Sequence, residues 1–163
     1  MPKPLEISLA DENATRALGA SLAELLPSRF AIGIDGTLGA GKTRFTQGLA
    51  SALGIDPETV LSPTYTLVHE YPFERHCSTQ TLYHLDAYRV RDADEFWELG
   101  VEELFERKAW VVIEWAERVA VCLPDDHLRI ELLVESPTLR RALITAQGPR
   151  ADDVLAQLAV RYP

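Results

Sequence analysis

Eight consecutive residues, 36–43, carry the most specific chemistry in this sequence. They read Gly-Thr-Leu-Gly-Ala-Gly-Lys-Thr and fit the pattern G-x-x-x-x-G-K-[ST] of a phosphate-binding loop. In such a loop the glycines let successive backbone N–H groups turn towards a phosphate chain, and the N-terminus of the following helix adds positive potential. Lys42 is expected to bridge the terminal phosphates, and the Thr43 hydroxyl is expected to bind Mg²⁺. The sequence therefore predicts a nucleotide site.

A phosphate loop of this kind needs an acidic residue for the Mg²⁺ shell, normally at the end of a buried strand beside the loop. Asp86 and Glu114 both fit this description. We prefer Glu114 for the metal because the apolar run 109–113 precedes it without interruption, whereas His84 interrupts the run before Asp86. Asp86 keeps two interpretations, one as an outer-shell or water-orienting group and one as a structural ion pair with Arg89.

Hydroxyl groups are concentrated in residues 62–66, Ser-Pro-Thr-Tyr-Thr. This segment is predicted to be a loop that enters a strand, and a mobile loop can bring a threonine such as Thr64 to a terminal phosphate. Taken alone, the same residues also fit an ordinary turn. Trp115 directly follows Glu114, and we expect it to move as the surroundings of that carboxylate change.

The other residue types that often carry chemistry are interpreted as structural. Trp97 and Trp110 are predicted to lie in the core. Cys77 and Cys122 are far apart in the chain and are expected to be reduced bystanders. The histidines lack the spacing of metal ligands and are interpreted as structural or exposed: His69, His76, His84 and His127.

The length and the net charge of the chain limit the classes of protein to which it can belong. A chain of 163 residues is predicted to form a single domain over 1–163. The net charge of −9 disfavours a protein that grips nucleic acid alone, because such proteins usually present a basic face. The N-terminal residues do not resemble a signal peptide and no apolar run approaches about 20 residues, so we expect a cytoplasmic protein without membrane contact.

The elements that position the chemistry follow from apolar spacing and turn residues. A helix capped by Asp11 should reach Leu26, and the helix after the phosphate loop should stop at Gly54. A polar connection over 72–81 is interpreted as a possible hairpin turn. Two further helical segments are predicted, 92–106 with a break at Gly100, and 152–160. Strands are predicted around Ile7 and Leu9 and over 30–34, 65–71, 82–88, 109–113, 128–134 and 139–145.

Strands that alternate with helices around one phosphate loop, followed by late antiparallel strands, indicate an α/β fold. We predict a three-layer P-loop NTPase-like domain. Its mixed sheet should have a parallel core and antiparallel edge strands.

The order of GTLGAGKT, SPTYTLVHEY, LYHLDAYR, ELG and IEW resembles the TsaE (YjeE) family of small bacterial P-loop ATPases. The likeness extends from Asp11 and Glu12 through the strands after Leu123. It implies ATP and Mg²⁺ as cofactors, and TsaB and TsaD as partners, together with a fourth protein that makes threonylcarbamoyl-adenylate. The implied activity is slow ATP hydrolysis that resets this complex as it installs threonylcarbamoyladenosine on tRNAs that read codons starting with A.

The resemblance also implies roles for individual residues. Lys42 and the loop amides would hold the β- and γ-phosphates, while Thr43 and Glu114 would bind Mg²⁺. The remaining loop positions that would contact the nucleotide are Gly36, Leu38, Gly39, Ala40 and Gly41.

Three further positions match mobile or acidic groups of the family. Thr64 resembles its switch-type threonine, Trp115 the aromatic after the acidic ligand, and Asp86 the acid of its HxDxYR motif. By the same resemblance, contacts to the adenine side and from the late strands are expected from Leu9, Glu12 and Arg141.

The phosphate loop departs from the family pattern at two places. Thr37 stands where the family usually has an acid, with Asp35 two places earlier, and Arg44 replaces a second threonine. Arg44 would then offer charge where the family offers a hydroxyl to the α-phosphate. The acidic composition implies that tRNA is bound mainly by the partners.

Two other functions are compatible with the phosphate loop. One is a small-molecule kinase, although the sequence has no arginine-rich insertion of the lid type. The other is a nucleotide-dependent binding module in which hydrolysis is incidental.

Overall fold

The structure, a computed structural model, describes residues 3–163. No helix in this range is long and apolar enough to cross a membrane. Short 3₁₀ segments occupy Pro57–Thr59 and Ala116–Cys122. The strands and α-helices in chain order are β1 (Leu5–Leu9), α1 (Glu12–Leu25), β2 (Phe30–Gly36), α2 (Lys42–Ala52), β3 (Val68–Arg75), β4 (Ser78–Asp86), α3 (Ala93–Glu98), α4 (Val101–Glu106), β5 (Ala109–Glu114), β6 (His127–Val134), β7 (Arg140–Gln147) and α5 (Pro149–Arg161).

The seven strands form one sheet in the order β1-β7-β6-β2-β5-β4-β3. Neighbours from β6 through β2 and β5 to β4 run parallel. The pairs β1–β7, β6–β7 and β3–β4 are antiparallel. The predicted mixed sheet is therefore confirmed, and β6 joins the parallel core through β2 while it pairs with β7 on its other side.

Helices cover both faces of the sheet, as the predicted three layers require. One core cluster contains residues of α1, α2 and α5, including Leu18, Phe45 and Leu158. The cluster on the opposite face contains residues of α3, α4 and the second 3₁₀ segment, including Phe96 and Val101. Every residue of β5 is buried, as expected for a central strand that is covered on both sides.

The helices α1 and α2 pack unusually closely, and two glycines permit this approach. A Cβ atom on Gly48 would lie 2.0 Å from the carbonyl oxygen of Arg16, and one on Gly19 would lie 2.2 Å from that of Phe45. Asp11 caps α1 as predicted, since its carboxylate accepts a hydrogen bond from the Ala14 N–H at 2.8 Å. This packing fixes the start of α2, and with it the phosphate loop.

The predicted boundaries of β3 and β4 are wrong. Residues 65–67 form a turn instead of a strand, closed by a hydrogen bond of 2.7 Å from the Leu67 N–H to the Pro63 carbonyl. The predicted connection 72–81 is mostly strand, and the hairpin turns at His76 and Cys77, whose φ angles are 52° and 59°. Such angles are typical of a two-residue type I′ turn. Pro72 is tolerated because β3 lies at the edge of the sheet.

Of the two tryptophans that were predicted to lie in the core, one is buried and one is exposed. Trp110 is 1% exposed and belongs to the core, as predicted. Trp97 is 39% exposed, so its core assignment is wrong. In the short helix α3 it is Phe96, at 0% exposure, that points into the core.

Candidate functional site

A cavity of about 840 Å³ lies where the carboxyl ends of the parallel strands β2, β4 and β5 meet the start of α2. Ligands of open α/β sheets bind at this edge, and the volume is typical of a small-molecule site. The phosphate loop follows β2, Asp86 ends β4 and Glu114 ends β5. Asp86 and Glu114 are register partners in neighbouring strands, which places the two acids side by side.

The phosphate loop has the backbone shape of an anion site. Gly36, Gly39 and Gly41 all have positive φ angles, of 152°, 81° and 107°. Gly41 is the N-cap of α2 and accepts the first helical hydrogen bond, from the Phe45 N–H at 2.9 Å. Within residues 3–163 no side chain caps α2. Its first N–H groups therefore remain available to an anion.

Lys42 lies folded against its own loop. Its Nζ donates to the carbonyl oxygens of Gly36 at 2.7 Å and Thr37 at 3.0 Å, and it lies 4.1 Å from the centroid of the Trp115 ring. Burial lowers the pKa of Lys42, although the nearby carboxylates of Glu114 and Asp86 oppose this shift. An ammonium has three donors, so one remains after the two loop carbonyls are bound.

Glu114 is a buried carboxylate shared by two side-chain donors. Its Oε1 accepts hydrogen bonds from Thr43 Oγ1 at 2.8 Å and from His84 Nε2 at 2.9 Å. Burial raises the pKa of Glu114, but the hydrogen bonds from His84 and Thr43 and the charge of Lys42 outweigh it and leave the pKa below its ordinary value. Glu114 is therefore ionised near neutral pH.

Thr43 and Glu114 fit Mg²⁺ because both offer oxygen and lie in hydrogen-bond contact. Across residues 3–163 there is no group of three or more His, Cys, Asp or Glu side chains arranged to hold a metal. Mg²⁺ usually takes one or two protein ligands and completes its shell with phosphate oxygens and waters.

Asp86 connects the sheet to the hydroxyl-rich segment. Its Oδ2 accepts hydrogen bonds from Thr64 Oγ1 at 3.0 Å and Ser62 Oγ at 3.3 Å, and its Oδ1 accepts from the Tyr88 N–H at 2.7 Å. Asp86 forms no ion pair with Arg89, whose guanidinium lies 4.5 Å from the Tyr65 ring centroid. The structural ion pair considered for Asp86 is therefore absent.

Comparisons with known proteins agree on one family. The family model of "Threonylcarbamoyl adenosine biosynthesis protein TsaE" matches residues 9–143. The Bacillus subtilis protein named "tRNA threonylcarbamoyladenosine biosynthesis protein TsaE" is 32% identical over 157 residues, which cover 96% of this chain and 95% of that protein. A protein of the same name from Aquifex aeolicus is 40% identical over 134 residues, covering 80% and 90%. This chain belongs to the TsaE family.

A solved structure supports the fold of this TsaE-family chain. The crystal structure of Bacillus subtilis YdiB superposes with a TM-score of 0.79 at 28% identity. The match covers 99% of this chain and 97% of YdiB. The α/β architecture with helices on both faces of a mixed sheet is thus shared along essentially the whole length.

Most of the residues predicted for the site come together in this TsaE-family chain. Gly36 does not line the cavity, but its carbonyl accepts from Lys42. The predicted residues that do line the cavity are Glu12, Leu38, Gly39, Ala40, Gly41, Lys42, Thr43, Arg44, Thr64, Asp86, Glu114 and Trp115.

Leu9 and Arg141 lie elsewhere, and this corrects their predicted contacts. The Leu9 side chain is 1% exposed and packs in the core beneath α1, outside the cavity lining. Arg141 forms ion pairs with Glu6, at 3.7 Å, and with Glu135. These acids hold its guanidinium on the face of β7 away from the cavity.

The two departures in the loop have structural explanations. Thr37 acts through its backbone, since its carbonyl accepts from Lys42 and from the Ala40 N–H. Arg44 bridges the starts of α1 and α2, with its Nε 3.5 Å from Glu12 Oε2 and its Nη1 3.0 Å from Gln47 Oε1. Its charge is therefore partly balanced by Glu12 at the cavity wall.

Sequence reasoning missed two residues. Of the two alternatives for His84, structural or exposed, the structure excludes the exposed one, since His84 is 0% exposed and contacts Glu114. Its place two residues before Asp86, on the same face of β4, was the available signal. Arg140 lines the cavity and contacts the loop carbonyls, whereas the sequence pointed to the adjacent Arg141.

Proposed function

We propose that this TsaE-family chain is a cytoplasmic, Mg²⁺-dependent P-loop ATPase that supports threonylcarbamoyladenosine modification of tRNAs reading codons that start with A. Its slow ATP hydrolysis resets a TsaB–TsaD complex between rounds. The observation that carries this proposal is the convergence of Lys42, Thr43 and Glu114 at one cavity. The pathway, tRNA threonylcarbamoyladenosine biosynthesis, is taken from the names of the related proteins.

Each group at the cavity suits one task in nucleotide binding. The free N–H groups at the start of α2 and the remaining donor of Lys42 bind the β- and γ-phosphates. Thr43 and Glu114 hold Mg²⁺, which neutralises phosphate charge when it is bound. Glu12 and Arg44 line the cavity wall between α1 and α2 and face the rest of the nucleotide.

The surroundings of Asp86 support a slow reaction. A general base must reach the proton that it removes, and both oxygens of Asp86 already accept hydrogen bonds from Ser62, Thr64 and the Tyr88 N–H. Rearrangement of the segment around Thr64 would free Asp86 Oδ2 of its two hydroxyl donors and make Asp86 a stronger acceptor for the attacking water. A bound partner can supply this rearrangement, which links the rate to the complex.

The rim of the cavity supports a protein partner. Leu38, in the phosphate loop, is 89% exposed. Tyr65, in the hydroxyl-rich segment, is 83% exposed, and Leu61, the residue before that segment, is 61% exposed. Exposed apolar groups that flank a site are typical of surfaces that a partner covers. TsaB and TsaD are the partners that the proposal places there.

The test is reconstitution of the modification over many turnovers. Purified TsaB, TsaD, the enzyme that makes threonylcarbamoyl-adenylate and substrate tRNA are combined with and without this protein, and modified nucleoside is counted per TsaD. We expect product to stop near one equivalent without the protein and to continue with it. Lys42→Ala should behave like omission, while Lys108→Ala, at an exposed lysine outside the cavity, should behave like wild type.

Three outcomes would contradict parts of this proposal. Equal turnover with and without the protein would remove its role in the pathway. Modification that persists in cells carrying Lys42→Ala at normal abundance would make the chain a binding module with incidental hydrolysis. A phosphorylated product in a metabolite screen would favour a small-molecule kinase.

A further inference from the structure

Arg140, at the start of β7, joins two segments of the cavity wall through one guanidinium. Its Nε donates to the Ala40 carbonyl and its Nη2 to the Gly39 carbonyl, both at 3.2 Å. Its Nη1 donates to the Ser136 carbonyl at 2.8 Å. The fixed planar fork of a guanidinium suits such simultaneous contacts. The side chain therefore ties the phosphate loop to the turn before β7.

The loop carbonyls are shared between two cations. Lys42 binds those of Gly36 and Thr37, and Arg140 binds those of Gly39 and Ala40. In a planar trans peptide the carbonyl and the N–H point in opposite directions. The contact with the Ala40 carbonyl therefore also fixes the direction of the Gly41 N–H at the N-terminus of α2.

The tip of the loop has little packing to hold it. Leu38 is 89% exposed, and a Cβ atom placed on Gly39 would meet no atom within 4 Å. Gly39 also has a φ angle of 81°, a conformation that a glycine is free to leave. Hydrogen bonds must therefore hold the tip. Among residues 3–163 they come from Arg140 to the Gly39 and Ala40 carbonyls, and from Lys42 and the Ala40 N–H to the Thr37 carbonyl.

Arg140 also keeps its charge near the cavity. Its hydrogen-bond acceptors within residues 3–163 are neutral backbone carbonyls, and none is a carboxylate. All of these hydrogen bonds go to the backbone of the phosphate loop and of the turn before β7.

We propose that Arg140 is a positioning residue that holds the phosphate loop in its anion-binding shape before the nucleotide arrives. This inference rests on the proposed nucleotide binding and adds a second basic residue to Lys42. Because Arg140 holds the loop instead of a particular phosphate, its loss weakens ADP and ATP binding equally. It acts on binding and leaves the chemical step unchanged.

The neighbouring Arg141 is a matched control. It is the same residue type, one position away on the same strand, but its ion pairs are with Glu6 and Glu135 and it does not line the cavity. A general effect of removing a cation from β7 would appear in both variants. An effect through the loop would appear only at Arg140.

The experiment compares wild type, Arg140→Ala, Arg140→Lys and Arg141→Ala by titration calorimetry with Mg²⁺–ADP and Mg²⁺–ATP, and by steady-state ATP hydrolysis. We expect Arg140→Ala to raise both dissociation constants and the KM about tenfold, the effect of losing one charge-assisted interaction, with kcat within about twofold of wild type. Arg140→Lys should recover only part of the affinity, because an ammonium lacks the fork. Arg141→Ala should match wild type.

Hydrogen exchange of the nucleotide-free proteins supplies a readout of loop shape. Peptides covering residues 37–40 should exchange faster in Arg140→Ala than in wild type or Arg141→Ala, while peptides of the central strand β5 should not change. Faster exchange across the whole of Arg140→Ala would mean general destabilisation and would overturn the positioning role, as would full recovery by Arg140→Lys.

The calorimetry separates the inference from the proposed function. If the wild-type protein binds neither nucleotide, the proposed function fails and this inference fails with it. If the wild type binds and Arg140→Ala binds as tightly as Arg141→Ala, only the role of Arg140 is contradicted.

Discussion

At the scale of single residues, the site depends on how one buried carboxylate is held. Glu114 is 2% exposed, and its Oε1 accepts hydrogen bonds from Thr43 and His84. The carboxylate is acceptor-only, so the His84 Nε2 must carry the proton in this contact. The Nδ1 of His84 is buried and has no partner among the described residues. Among the described residues, the hydrogen bond of the His84 ring is therefore the one from Nε2 to Glu114, and this bond fixes the orientation of the Glu114 carboxylate.

This arrangement predicts that His84 supports metal binding through Glu114. Partners of metal ligands typically contribute 10- to 100-fold to affinity, so His84→Leu should raise the half-saturating Mg²⁺ concentration at least about tenfold. His84→Gln, which keeps a donor, should have a smaller effect. The measurement is ATP hydrolysis as a function of Mg²⁺ concentration, on proteins shown to be folded by circular dichroism.

His76→Asn is the control for this series. His76 is exposed at the hairpin turn, and asparagine accepts its positive φ angle of 52°. Its Mg²⁺ dependence should equal that of wild type. A folded His84→Leu protein with wild-type Mg²⁺ dependence would show that Glu114 needs no help from the ring.

At the scale of elements, the sequence predicted the central strands and the helices well and the edge strands poorly. Central strands such as β5 are apolar throughout because both faces are covered, and that pattern is visible in one sequence. The boundaries of β3 depend on the turn at His76 and Cys77 and on pairing with β4, which are not visible in a single sequence. The choice between the neighbouring Arg140 and Arg141 was equally difficult. Successive side chains of a strand point to opposite faces, so an error of one residue selects the wrong face.

The last helix illustrates how a distant residue can complete an element. The N-cap of α5 is Gly148, which has no side chain to act as a cap. Instead Asp126, in the turn before β6, accepts hydrogen bonds from the backbone N–H of Ala151 at 2.8 Å and of Arg150 at 3.3 Å. Its carboxylate also accepts from Arg150 Nε at 2.9 Å. The turn between Pro124 and β6 thus anchors α5 against the sheet.

Asp126→Ala should therefore lower the free energy of unfolding by about 1 kcal/mol at pH 7, the usual cost of a lost cap. Burial raises the pKa of Asp126, but its hydrogen bonds from Arg150 and Ala151 and the charge of Arg150 outweigh this and leave the pKa below its ordinary value. Folding thus favours the ionised form. The contribution is complete above about pH 4 and disappears as pH falls through the lower pKa of the folded state.

Urea unfolding of wild type and Asp126→Ala between pH 7 and pH 3 tests this prediction. The difference between the two stabilities should be largest at pH 7 and should shrink as the pH falls towards 3. Asp125→Ala, at the exposed neighbouring acid, should follow wild type throughout. A difference between wild type and Asp126→Ala that stays constant with pH would show that the cap does not act through the carboxylate charge.

At the scale of the whole molecule, the net negative charge distinguishes this chain from typical proteins that bind tRNA directly. The net charge is −9, and several of the arginines that could contribute to a basic surface are paired with acidic side chains. Arg44 pairs with Glu12, Arg91 with Glu95, and Arg141 with Glu6 and Glu135. The sequence showed the composition, but it could not show the pairs Arg44–Glu12 and Arg141–Glu6, because these join residues that are distant in the chain.

The purified protein alone should therefore bind tRNA weakly, with a dissociation constant above about 100 µM at physiological salt, the weak limit of non-specific nucleic-acid binders. Fluorescence anisotropy with labelled tRNA measures this, with the TsaB–TsaD complex as the positive control. Repeating the titration at low salt tests the reason, because phosphate contacts would make the affinity rise steeply as salt falls. Micromolar binding by the isolated chain, with a steep salt dependence, would reveal a basic surface that the ion pairs do not neutralise. It would also place tRNA in direct contact with this protein instead of with its partners.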